Sequence, residues 1–248
     1  MRKPIIIGNW KMYKDKEEAI KLVEELKPLV AKAKVDVALC VPFTLIPVVK
    51  PLLEGTKIKL GAQNVAYEEE GAYTGEVSAK MLKDFDVEYV IVGHSERRRL
   101  FGEKCRDISL RAAQALKYGI KPIVCLGETL ERRQRGTHKS YLKIQLLETF
   151  ESIQDVSNVI IAYEPLWAVN TGVVATPEEA NEATGYIRKL IKEKYGSEAA
   201  KNIRIQYGGS MNGGNAKGLL AMRNVDGGLI GKASLDAEAF AAIVNCKE

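Results

Sequence analysis

The sequence predicts an α/β protein folded as one (β/α)8 barrel, and three observations carry that expectation. Short apolar runs rich in β-branched residues recur eight times along the 248 residues. Amphipathic helical patterns separate them. No Pro/Gly/Ser linker, charge block or low-complexity tract marks a boundary, so residues 1–248 read as a single domain. A strand buried on both faces is apolar throughout, and parallel strands need long crossovers, so this alternation implies a parallel sheet covered by helices. Eight units in a chain of this length favour a closed barrel over an open doubly wound sheet. An open nucleotide-binding sheet would show a glycine-rich turn after its first strand, where this chain has Gly8-Asn9-Trp10-Lys11.

The strands are expected at residues 5–7, 35–41, 58–62, 89–92, 122–126, 159–163, 203–207 and 228–230. Between the first two, Ala19, Leu22, Val23, Leu26, Leu29 and Val30 recur at three- and four-residue spacing, which predicts a helix over 15–32. Thr176-Pro177-Glu178-Glu179 combines a capping residue, a proline at the first helical position and acids in the first turn. A helix should start there and stop near Gly196. Ser234 or Asp236 similarly begins the last helix.

Composition excludes several functional classes. The chain is 46% hydrophobic and 28% charged, with a net charge of +5 spread among interleaved acids. Arg97-Arg98-Arg99 and Arg132-Arg133 lie in helical segments and read as solvated faces, not as a nucleic-acid patch. Cys40, Cys105, Cys125 and Cys246 are scattered without metal-like or redox pairing, which suits reduced thiols in a cytoplasmic protein. The N-terminus lacks a signal-peptide core, and no stretch approaches a membrane span of ~18 apolar residues. With only His94 and His138, and His138 just before a helix and alone, no metal site is expected.

In a barrel of this kind the active site forms at the C-terminal strand ends. Strand one releases Asn9 and Lys11, strand four His94-Ser95-Glu96, strand six Glu164, strand seven Gly208-Gly209-Ser210, and strand eight Gly231-Lys232. Glu164 is the most informative of these: a carboxylate on a rigid strand end, followed by Pro165 and by a segment (166–175) too apolar for an ordinary surface loop. That arrangement suits a general base, and equally a helix cap or an ion-pair partner. The glycine turns after strands seven and eight could cradle a phosphate or simply turn tightly. Lys11 could form a Schiff base, although Glu96 or Glu164 nearby would keep it charged.

At these residues the sequence resembles the triosephosphate isomerase family. Asn9-Trp10-Lys11-Met12, Gly93-His94-Ser95-Glu96-Arg97-Arg98, Ala162-Tyr163-Glu164-Pro165-Leu166-Trp167-Ala168 and Tyr207-Gly208-Gly209-Ser210 match in order. Gln63-Asn64 and Cys125-Leu126-Gly127-Glu128 also fit. The resemblance implies a TIM barrel that interconverts dihydroxyacetone phosphate and glyceraldehyde 3-phosphate with no cofactor and no metal. It implies Glu164 as base, His94 as a neutral electrophile, and Lys11 and Asn9 as stabilisers of an enediolate, with Glu96 completing the catalytic set. Asn170, Gly172, Ser210, Gly231 and Lys232 would receive the phosphate. The segment after Glu164 would be a closing lid hinged at Pro165-Leu166-Trp167 and Val173-Val174-Ala175.

Two positions depart from the family's pattern. The lid tip has Asn170 where glycine is usual, and strand eight is followed by Gly231-Lys232 in place of Gly-Gly. These changes bear on phosphate affinity and lid closure. Residues 65–78 exceed an ordinary connection of ~2–6 residues. By resemblance, Tyr73, Thr74, Gly75 and Glu76 form a dimer loop that inserts into a partner beside Asn9 and Lys11, giving a homodimer or a larger assembly. The alternative readings are another phosphate-binding barrel enzyme of epimerase or aldolase type, and a non-catalytic binding barrel.

Overall fold

The computed structural model describes residues 2–168 and 174–246. Its strands are β1 (Ile5–Asn9), β2 (Asp36–Val41), β3 (Ile58–Ala62), β4 (Tyr89–Val92), β5 (Lys121–Leu126), β6 (Ile160–Tyr163), β7 (Arg204–Tyr207) and β8 (Gly227–Ile230). They pair in sequence order, all parallel, and β8 closes onto β1 with Ile5 opposite Gly227. The helices are α1 (Lys16–Val30), α2 (Ile46–Leu52), α3 (Ala79–Asp84), α4 (Ser95–Leu100), α5 (Cys105–Lys117) and α6 (Leu130–Gln134). They continue as α7 (His138–Thr149), α8 (Pro177–Tyr195), α9 (Ser197–Asn202), α10 (Ala216–Ala221) and α11 (Ala237–Val244).

The continuous apolar strands resolve into two cores. Alternate residues such as Ile5, Ile7, Cys40, Ile91, Ile123 and Ile160 form one cluster that fills the barrel. Their neighbours Ile6, Leu39, Val90, Val124 and Ile161 join the second cluster, packed against the helices. Each fully buried side chain of this size contributes roughly 1.5–3 kcal/mol. Both faces of the sheet are therefore dry, which is why the sequence shows runs in place of alternation.

Local signals set the helix ends. Asp15 and Glu18 form a capping box at α1, and Thr176 and Glu179 form one at α8, which stops at Gly196 with φ +90°. Asp236 starts α11 by accepting the Ala239 N–H at 2.8 Å. His138 is the first residue of α7, one position inside the helix it was expected to precede.

The two ends of the barrel carry different chemistry. At the N-terminal end Asp226 accepts from Arg2 Nε at 2.6 Å, Arg188 Nη2 at 2.5 Å and the Ile205 N–H at 2.9 Å. Asp36 pairs with Lys3 at 2.6 Å and Arg204 at 2.7 Å. These contacts clamp strand starts and face away from the cavity at the other end. No described helix is long and apolar enough to cross a membrane.

The expectation of solvated arginine faces needs correction. Arg98 donates to the carbonyl oxygens of Gly93 at 2.8 Å and Cys125 at 3.0 Å, joining the ends of β4 and β5. Arg97 pairs with buried Glu103 at 2.6 Å, and Arg133 reaches buried Glu128 at 3.4 Å while lying 5.1 Å from the Trp167 ring centre. Strand ends and buried acids leave acceptors in a low dielectric, where a forked guanidinium satisfies several at once. Arg99 and Arg132 do lie on the solvent side.

Candidate active site

A cavity of about 740 Å³ opens at the C-terminal mouth of the barrel, lined by Asn9, Lys11, His94, Glu164, Ser210, Gly231 and Lys232 among others. Residues from the ends of β1, β4, β6, β7 and β8 thus line one cavity, while Glu96 lines a smaller one of about 300 Å³ that shares Asn9, Lys11 and His94 with it. The larger cavity falls within the size range of small-molecule sites.

Glu164 directly follows β6 and is buried. Its backbone is fixed: its N–H donates to Leu126 O at 2.7 Å, and a Cβ on Gly127 would stand only 1.8 Å from its carbonyl oxygen. Gly208 likewise leaves room for the side chain, since a Cβ there would meet Glu164 Cγ at 2.9 Å. The carboxylate reaches His94 Nε2 with Oε1 at 2.8 Å and accepts the Ser95 N–H with Oε2 at 2.9 Å. Burial, the largest influence, disfavours its charge. The His94 contact and the Ser95 N–H outweigh it and hold the carboxyl below its ordinary value of 4.5.

His94 caps α4, and its Nδ1 accepts the Glu96 N–H at 3.3 Å. An Nδ1 that accepts carries no proton, so the proton of the neutral ring sits on Nε2, the nitrogen 2.8 Å from Glu164 Oε1, although that oxygen has no aligned hydrogen-bond donor among the described residues. Burial, the largest influence, and the nearby Lys11 charge oppose the imidazolium, but the carboxylates of Glu164 and Glu96 carry the pKa above the ordinary 6.5. This resting direction runs against the neutral imidazole that the resemblance implies. The carboxylate contact that causes it is itself part of the site.

Lys11 is held in a left-handed conformation, φ 52°. A non-glycine residue there costs roughly 1–3 kcal/mol and persists only where its surroundings hold it. Gln63 Nε2 donates to Lys11 O at 2.8 Å, and the Lys11 N–H donates to Asn9 Oδ1 at 3.0 Å. The ammonium then meets Glu96 Oε1 at 2.5 Å. Because the Asn9 carbonyl is engaged, its amide N–H groups are the part left to donate.

The segment after Glu164 makes a tight turn at Leu166–Ala168. Trp167 Nε1 donates to Glu128 Oε1 at 3.2 Å, and Tyr163 OH donates to the same oxygen at 2.9 Å. Ser210 donates to Ala168 O from its N–H at 3.2 Å and from its hydroxyl at 2.9 Å, so the turn after β7 is tied to the Leu166–Ala168 turn. Val174 is exposed and Ala175 is buried. Asn170, Gly172 and Val173 lie outside the described residues. Lys232 begins a 3-10 turn, Lys232–Leu235, and takes no positive φ, so replacing glycine there introduces no left-handed strain.

Sequence reasoning missed Ser95, Gln63, Glu128 and Arg98 as supports of the site. Each acts on a residue distant in sequence, so only the closed barrel brings it into reach. Tyr73, Thr74, Gly75 and Glu76 stand exposed on the 65–78 loop. The loop is anchored by Arg111, which donates to Val65 O and to Glu76 at 2.9 Å.

Comparison with known proteins places the chain among its relatives. The triosephosphate isomerase family model matches residues 4–247. A triosephosphate isomerase of Alkaliphilus oremlandii (strain OhILAs) is 50% identical over 247 residues, covering 99% of this chain and 100% of that protein. Those of Caldanaerobacter subterraneus subsp. tengcongensis and Clostridium botulinum (strain Loch Maree / Type A3) are 49% and 48% identical over the same shares. Matched along nearly all of its length, and with the strand-end residues meeting at one mouth, the chain belongs to the triosephosphate isomerase family.

Proposed function

We propose that Glu164 is the base of the aldose–ketose isomerisation that this chain carries out, the interconversion of dihydroxyacetone phosphate and glyceraldehyde 3-phosphate. The observation that carries this assignment is the 2.8 Å contact between Glu164 Oε1 and His94 Nε2 on two rigid strand ends inside the cavity. Glu164 takes the proton from the carbon beside the carbonyl, and the electrons move onto the carbonyl oxygen. His94 Nε2–H donates to that oxygen, and Lys11 and the Asn9 amide stabilise the same developing charge. Glu164 then returns the proton to the neighbouring carbon while His94 exchanges protons between the two oxygens. The enediolate collapses to the isomer.

An α-proton is a very weak acid, so no single group suffices. A positioned donor contributes ~3–4 kcal/mol and a general base ~10²–10⁴ in rate. Substrate must draw the Glu164 carboxylate away from His94 and Ser95. Once it leaves, the strongest influence favouring the imidazolium leaves with it, and burial then favours the neutral donor the reaction needs. The Lys11 ammonium, paired with Glu96 at 2.5 Å, suits charge stabilisation better than nucleophilic attack and so disfavours the aldolase reading. Glu96 serves the reaction by fixing that ammonium.

The phosphate is assigned to the wall carrying Ser210, Gly231 and Lys232, with Asn170 and Gly172 completing it from the lid. Pro165, Leu166 and Trp167 act as one lid hinge, and Val173, Val174 and Ala175 as the other. The chain pairs with a second copy, the loop through Tyr73, Thr74, Gly75 and Glu76 entering the partner near Lys11. Exposed Met12 and Phe101 beside a second cavity, of about 300 Å³, support that surface, as does buried Asn64 Oδ1 without a bonding partner. Two experiments test these assignments. Glu164→Gln and His94→Gln should each abolish most isomerisation while leaving the folded protein intact, and near-normal turnover in either overturns its role. Light scattering should give twice the chain mass for the wild type and a monomer for Thr74→Arg; a monomeric wild type overturns the dimer.

A further inference from the structure

We propose that the Lys232 side chain, and not only its backbone, is a counter-ion for the substrate phosphate and sets the affinity of this site. The inference rests on placing the phosphate between Ser210 and Gly231. The charged residues lining the cavity are Lys11, Glu164, Lys232 and Asp236. Lys11 is already neutralised by Glu96 at 2.5 Å, Glu164 is a carboxylate, and Asp236 caps α11 through the Ala239 N–H at 2.8 Å. A phosphate dianion therefore enters a cavity whose fixed charge, without Lys232, is net negative. Lys232 has no ion-pair partner among the described residues, and it is the one lining cation so placed.

Its location fits the phosphate end of the substrate. It follows Gly231, where an added Cβ would lie 3.4 Å from Lys11 Cε, so the turn sits directly against the Lys11 side chain. It opens the Lys232–Leu235 turn without left-handed strain. An ammonium held there lowers the cost of bringing a dianion past Glu164 and Asp236. Because Lys232 is exposed, its contribution must be salt-sensitive. A cation that acts on the non-reacting phosphate stabilises bound substrate and transition state alike, so its removal appears in KM and not in kcat.

The test uses the full chain with Lys232→Met, Lys232→Gly and Lys232→Arg. For each, kcat and KM are measured with both triose phosphates, together with the inhibition constant of inorganic phosphate. The measurements run at about 0.01 M and about 0.15 M ionic strength, where the screening length falls from about 30 Å to about 8 Å. At low salt the Met and Gly variants should raise KM and the phosphate inhibition constant together, by roughly three- to tenfold, with the loss outside kcat. The gap should narrow at high salt, and Lys232→Arg should restore wild-type values. KM and the inhibition constant within twofold of wild type at low salt overturn the inference, as does a loss confined to kcat. If inorganic phosphate fails to compete with substrate in the wild type, the phosphate placement itself falls. Competition that persists unchanged in Lys232→Met refutes only the role of the side chain.

Discussion

Glu164→Asp separates a positioned base from a merely present carboxylate. The substitution retracts the carboxylate by one C–C bond, about 1.5 Å. A carboxylate that now lies 2.8 Å from His94 Nε2 and 2.9 Å from the Ser95 nitrogen would stand roughly 4 Å from them, and falls short of the substrate carbon by the same amount when it swings away from them. The backbone cannot follow. Its N–H is held to Leu126 O at 2.7 Å, Gly208 N–H holds Tyr163 O at 2.7 Å, and Gly127 packs without clearance against the Glu164 carbonyl. A displacement near 1 Å can cost ~10²-fold, and the whole contribution of a general base is ~10²–10⁴. The expected fall in kcat is therefore about 10²–10³-fold, or ~2.7–4.1 kcal/mol on the barrier. KM should move little, because the phosphate wall is untouched. Steady-state turnover of glyceraldehyde 3-phosphate, with thermal unfolding followed in parallel, reads both quantities. A folded variant within fivefold of wild-type kcat refutes the argument.

Two further outcomes follow from the same contacts. Since the chain has only two histidines, His94 can be followed by NMR against His138 as an internal reference. Glu164→Gln should lower the His94 pKa, because burial then acts with less opposition; a value unchanged or higher contradicts the account. In the wild type, the stability from the raised His94 pKa is fully present below 6.5 and lost as pH rises through the folded value. The stability from the lowered Glu164 pKa is present above 4.5 and lost as pH falls through its folded value, so the pair contributes most between these limits. At the opposite end of the barrel, Asp226→Ala strands Arg2 and Arg188, whose side chains are only 21% and 12% exposed. That should cost about 3–5 kcal/mol and lower Tm by roughly 6–20 °C, with kcat of the folded fraction near wild type. A Tm within 2 °C of wild type, within about 1 kcal/mol, removes that clamp from the account.

The fold was legible because each strand announced itself as an apolar run, and a barrel needs only their number and order. The polar residues that line the cavity were legible for a related reason: a polar side chain directly after such a run has one place to go. Their supports were not. Ser95 reaches Glu164 across 69 positions, Gln63 reaches Lys11 across 52 and Trp167 reaches Glu128 across 39, distances that only barrel closure cancels. Arg98 was misread because a run of arginines on a helix looks solvated until the carbonyls beneath it are known. The His94 shift was also hidden, since its direction depends on which carboxylate lies against it.

The central claim is that Glu164 moves a proton between two carbons of a bound triose phosphate. The most direct test is exchange of solvent deuterium into dihydroxyacetone phosphate. Wild-type protein in heavy water should place deuterium on the carbon that bears the hydroxyl, and folded Glu164→Gln should not. Isomerisation by the wild type without solvent deuterium entering either triose, or equal exchange in Glu164→Gln, would contradict the account.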